Sequence, residues 1–148
     1  MNTNRIQNIV IRAIEKQSVS CDDLRDMQNA IEEGGFISEI EAGELIRIER
    51  MVPVVCEAWG DFFVETLTAH LVWERRPTGT IRADDVVWLI DQLEQPRMAP
   101  AAHFGPLLVS LVREAEHVDQ RLLAIALVEN RVVELSARTI PASFSRAA

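Results

Sequence analysis

The chain has 148 residues, nearly half of them hydrophobic and about a quarter charged, with a formal net charge of −8. That length and balance suit one soluble domain with a sizeable core. Residues 15–65 hold 13 Asp+Glu against 4 Lys+Arg, which leaves +1 for the rest. An acidic N-terminal half repels phosphate backbones and argues against nucleic-acid binding.

Helical periodicity runs through the chain. Ile6, Ile9, Val10, Ala13 and Ile14 fall at i, i+3, i+4, i+7 and i+8, the apolar stripe of a first helix. Ser18 or Ser20 can cap a second, with Leu24, Met27 and Ile31 facing inward and Gly34-Gly35 ending it. Ser38-x-x-Glu41 has capping-box spacing and predicts a third helix from Ser38 to about Arg50. Pro53 fits the first turn of a fourth, whose inward set is Val55, Trp59, Phe62, Phe63, Leu67 and Leu71. Pro77-Thr78-Gly79 interrupts it, and Arg82 to Leu93 reads as a fifth.

Pro96 and Pro100 bound a short connection, and Pro106 should break or kink any helix across 101–116. Asp119 can cap a last helix carrying Leu122, Leu123, Ile125, Ala126, Val128, Val132, Val133 and Leu135. It is apolar all round, which predicts the central, most buried element. The β-branched Val52-Pro53-Val54-Val55 and Val86-Val87-Trp88 both sit inside helical patterns. The expectation is an all-α, single-domain bundle of six to seven helices over residues 1–138, with a loosely held tail at 139–148.

One phrase occurs twice. Gly35-Phe36-Ile37-Ser38 leads to Glu41 and Leu45-Ile46; Gly79-Thr80-Ile81-Arg82 leads to Asp85 and Leu89-Ile90. The repeat implies two diverged helix–turn–helix units, and such turns could set Ile37 and Ile81 side by side. Fainter echoes without the glycine occur at Val19-Ser20-x-x-Asp23-Leu24 and around Met98. A calcium loop places a glycine sixth, an aliphatic eighth and a bidentate acid twelfth. The two phrases match that skeleton, but positions one, three and five become Ala30, Glu32 and Gly34, then Glu74, Arg76 and Thr78. Too few oxygens remain to hold calcium, and a turn-and-cap device is the reading.

The phrase, with Trp59-Gly60-Asp61-Phe62-Phe63-Val64, Trp88-Leu89-Ile90 and Leu122 to Leu127, resembles an uncharacterised family of small helical alphaproteobacterial proteins. The likeness covers about residues 18–136 and implies no reaction. A looser similarity is to EF-hand-like and tellurite-resistance-type helical domains.

Chemistry-bearing constellations are sparse. Glu114-Ala115-Glu116-His117 contains a Glu-x-x-His, half of the di-iron bundle motif, but His70 and His103 lack the matching glutamate. Glu57, Asp61 and Glu65 repeat every four residues, with His70 five further on: an acidic face able in principle to bind metal, though such rows are usually solvated. Trp73 beside Arg75, Arg76 and Arg82 could form a partner or anion patch. Nucleophile elbows and phosphate loops are absent from the sequence. Cys21 and Cys56 stand alone, too far apart in sequence for a disulfide scaffold, and are expected as reduced, buried thiols.

No apolar stretch approaches the roughly 20 residues of a membrane span, and no signal core follows Met1. The expected function is a non-catalytic cytoplasmic interaction or accessory protein, without cofactor, binding a protein partner or itself. The alternatives are a metal-responsive or stress-response protein using the acidic half, and peripheral membrane association through the first helix.

Overall fold

The computed structural model describes residues 2–139, and the side chains of residues 4–130. Seven α-helices make an all-α, single-domain bundle: α1 (Asn2–Lys16), α2 (Cys21–Gly34), α3 (Glu39–Met51), α4 (Trp59–Thr68), α5 (Ala83–Glu94), α6 (Phe104–Glu114) and α7 (Gln120–Thr139). Four two-residue strands join them: β1 (Ser18–Val19), β2 (Val54–Val55), β3 (Thr80–Ile81) and β4 (His117–Val118). The expected tail lies outside the described residues beyond Thr139.

The caps form where the sequence placed them. Ser20 accepts from the Asp23 amide while Asp23 accepts from the Ser20 amide, and Ser38 and Glu41 reciprocate in the same way. Gly35, at φ 82° and ψ −59°, takes the positive-φ turn that ends α2, which favours glycine. The α1 stripe of Ile6, Ile9, Val10 and Ala13 is buried, and Trp59, Phe63 and Phe104 are among the largest fully buried side chains. The Trp59 and Phe63 rings stack 5.6 Å apart, and Phe63 meets Phe104 at 6.2 Å.

Several expectations are corrected. The fourth helix starts at Trp59, because Val54-Val55 is taken by a strand. Pro106 does not break α6: it is the third helical residue, where the backbone has no intrahelical acceptor for an amide anyway. The last helix is not the most buried element. Only Leu122 and Ala126 of its described side chains are buried, while Leu123, Leu127 and Val128 are exposed. Finally, Cys21 and Cys56 are neither reduced nor buried. Their Cα atoms are 5.2 Å apart and they form a disulfide.

The two glycine phrases share their local structure, with positive φ at Gly35 and Gly79 and a buried acid accepting from the Ser38 and the Arg82 amide, and a second repeat appears beside them. β1 pairs in parallel with β2 (Ser18 with Val54, Val19 with Val55), and β3 with β4 (Thr80 with His117, Ile81 with Val118). Each ladder joins the strand before a helix pair to the strand after it. The order helix–strand–helix–helix–strand–helix therefore occurs twice, as α1-β1-α2-α3-β2-α4 and α4-β3-α5-α6-β4-α7, with α4 shared. Val19 corresponds to Ile81 and Val55 to Val118, offsets of 62 and 63 residues. The matching offset of the two glycine phrases is 44.

The structural counterpart of Ile81-Arg82-x-x-Asp85 is thus the fainter echo, Val19-Ser20-x-x-Asp23. Ile37 lies in no strand, and Ile81 is placed beside Val118 instead. Hydrogen bonds repeat as well: the Cys56 amide donates to the Val19 carbonyl at 2.8 Å, and the Asp119 amide to that of Ile81 at 3.2 Å. Even the ion pairs correspond. Each buried cap carboxylate receives a cation from near the end of the preceding helical segment, Lys16 on Asp23 at 2.6 Å and Arg75 on Asp85 at 3.0 Å.

Candidate functional site

Three groups of residues compete for a functional role. The first is the acidic row. Glu57 lies before α4, and Asp61 and Glu65 project from α4 into solvent. His70 does not join them. It stands three residues after Leu67 and seven after Phe63, on their buried helical face, and falls within a single π-helical turn, Ala69–Trp73. It is buried, and neither ring nitrogen has a hydrogen-bond partner. Burial, reinforced by Arg75, pushes its pKa down, against the opposing charges of Glu39 and Asp85. Glu74 lies 4.0 Å from Nδ1, with its own pKa pushed up by burial although it accepts from the Ile37 amide at 3.4 Å. Among the described residues no group of three or more His, Cys, Asp or Glu converges as a metal site would.

The second is the arginine patch. Trp73, Arg76 and Arg82 are exposed around the loop between the π-helical turn and β3. Arg75 is the exception, because its guanidinium is committed to the buried Asp85. What remains is a shallow concavity of about 650 Å³ at Arg76, Pro77 and Thr78.

The third was not foreseen as a site. The antiparallel pair α6–α7 carries a groove of about 490 Å³ lined by Val109, Val112, Arg113, Leu123, Ala126, Leu127 and Asn130. The helices are joined through the short β4 connection, and Asn130 bridges them by donating to the carbonyls of Gly105 and Ala126. Leu122 and Ala126 point to the core, so the helical period turns Leu123 and Leu127 outward. Leu127 is 73% exposed and Val128 61%. Apolar residues on every face were read as a sign of burial. They equally describe a helix with one face on the core and another left for a partner.

A fourth cluster, also missed, serves the fold. The buried Glu49 carboxyl accepts from Trp59 Nε1 at 2.9 Å, from the His103 amide at 2.7 Å, and from the His103 ring, whose Nδ1 is 2.9 Å away. It ties α3, the start of α4 and the start of α6 together. Three acceptor contacts offset the desolvation of the carboxyl.

Searches against protein-family models, curated proteins and solved structures find no match to this chain. No described helix is long and apolar enough to cross a membrane.

Proposed function

We propose that this chain is a non-catalytic interaction module that associates with a second copy of itself through the α6–α7 face. The observation that carries the proposal is the coexistence on one patch of projecting side chains, Leu123 and Leu127, and a receiving groove lined by Val109, Val112 and Ala126. Twofold association requires such self-complementarity, since the same patch serves both partners. An exposed apolar patch of this kind is costly unless it has a use.

Charge supports a second copy as the occupant. The acidity is concentrated in residues 15–65, whereas residues 104–139 hold five acids and four arginines. Two copies can meet on this face while their acidic halves stay apart. At 1.5 Å per residue, α7 is about 30 Å long, so helix-on-helix docking buries area at the low end of specific interfaces, about 1,200 Å² in total. A weak, concentration-dependent dimer follows.

Sedimentation equilibrium from 5 µM to 1 mM (about the range a weak dimer spans) is the test. Leu127→Glu should hold the protein monomeric with unchanged helicity, and a monomeric parent protein at the highest concentration would refute the proposal. The Cys21–Cys56 bridge favours an oxidising compartment over the reducing cytoplasm expected from the sequence.

A further inference from the structure

A second concavity lies on another face of the bundle, between α3 and α5. It has a volume of about 410 Å³, and its walls include Ile40, Arg47, Arg50, Trp88 and Gln92. Gly43 forms the floor of α3 opposite Trp88, and its missing side chain keeps the groove open.

Arg50 is the unusual member. Its Nη1 donates to the Pro96 carbonyl at 2.9 Å, but its Nε is buried with no partner, and no described carboxylate pairs with the guanidinium. The other arginines nearby are committed: Arg97 to Glu129 at 2.9 Å and Arg47 to Glu44 at 3.6 Å. With Nη1 occupied and Nε enclosed beneath the surface, Nη2 is the donor of the Arg50 fork that an incoming carboxylate oxygen can reach. Burial, with Arg47 and Arg97 as like-charged neighbours, pushes the Arg50 pKa down, so an incoming negative charge relieves the crowding. The terminal carbonyl of Arg50 is already capped by the amides of Met98 and Ala99, which softens the negative end of α3.

We propose that the α3–α5 groove is a binding site for a small organic carboxylate with a flat apolar body, the carboxylate on Arg50 and the body against Trp88 and Ile40. The two ends of the groove define the ligand class. Glu39 and Glu44 line it as well, so a polyanion is repelled while a single negative charge at the arginine end is accommodated. Trp88 is partly buried and Ile40 is 61% exposed, an apolar surface that a ring covers. A hydrogen bond between an ionised donor and a carboxylate is stronger than one between neutral groups.

Benzoate is the probe, benzamide its neutral isostere and inorganic phosphate the control for a simple anion. Benzoate should raise the melting midpoint with concentration, as a binder of the folded state must, and should shift the Trp88 indole resonance; benzamide and phosphate should do neither. Arg50→Gln should weaken benzoate binding at least tenfold. Because Arg50 also holds the Pro96 connection, Gly43→Met provides the second variant. An added Cβ there finds ordinary contacts, 3.7 Å to Gln92 and 4.0 Å to Trp88, so the longer side chain should fill the groove and abolish binding without unfolding α3. Equal responses to benzoate and benzamide, an equal response to phosphate, or full binding by Gly43→Met would each overturn the proposal.

Discussion

Replacing Gly60 with alanine tests whether the Glu49 hub is held together as described. Gly60 is the second residue of α4, and a Cβ built there would lie 2.5 Å from Nε2 of His103 and 2.6 Å from its Cδ2. Contacts that short are not tolerated, so the methyl group must displace the imidazole. The ring is about a third exposed and can swing toward water, but only by giving up Glu49. A hydrogen bond to a carboxylate contributes about 1.5–3 kcal/mol, and partial hydration of the ring argues for the lower end. Alanine offsets part of this by stabilising the helix, by up to about 1 kcal/mol in an interior and less in a first turn.

Gly60→Ala should therefore destabilise the fold by about 1–1.5 kcal/mol. In a His103→Ala background the obstacle is gone, and the same substitution should become stabilising by about 0.5 kcal/mol. Urea unfolding of the four proteins, followed by circular dichroism, measures the cycle. The expected coupling is about 1.5–2 kcal/mol. An equal cost of Gly60→Ala in both backgrounds would refute the reasoning, because the clash would then lie somewhere other than the imidazole.

Three further outcomes follow from the structure. Reducing the Cys21–Cys56 bridge, which closes a loop with a sequence separation of 35, should cost up to about 3.8 kcal/mol by chain entropy; unfolding midpoints that do not move with reductant would count against the cross-link. Stability should fall as pH drops from 7.5 to 5.5, because the depressed pKa of His70 means that the unfolded chain binds a proton the folded state refuses. His70→Leu should flatten that slope in thermal melts, and an unchanged slope would rule His70 out as its source. Glu49→Ala should destabilise by about 3 kcal/mol or more, since Trp59 Nε1 loses its carboxyl acceptor inside the core. A red-shifted Trp emission in the folded variant would accompany the loss.

Which helices form was legible wherever local chemistry decides. Ser20, Ser38 and Asp119 start helices through contacts no more than three residues away, and the stripe from Ile6 to Ala13 encodes its buried face by period alone. The strands were not legible, because two residues carry no periodicity: Val54-Val55 becomes a strand only through Ser18-Val19, 36 residues earlier. The same holds for the candidate sites. Trp73, Arg76 and Arg82 are exposed, but Arg75 meets Asp85 across a loop, a contact no local spacing predicts; His70, by contrast, shares the buried face of Phe63 and Leu67, seven and three residues earlier.

The amino-acid sequence by itself determined an all-helical chain, its caps and most of its core, because these depend on neighbours three or four residues apart. Tertiary structure added a second repeat, pairing the Val19 turn with Val55 and the Ile81 turn with Val118, each through its own parallel ladder. It also decided that Cys21 meets Cys56, that Leu127 faces out and that Arg50 Nε is buried without a partner. Each of these is a fact about surfaces distant in sequence, and only the packing of whole helices brings such surfaces together or leaves them apart.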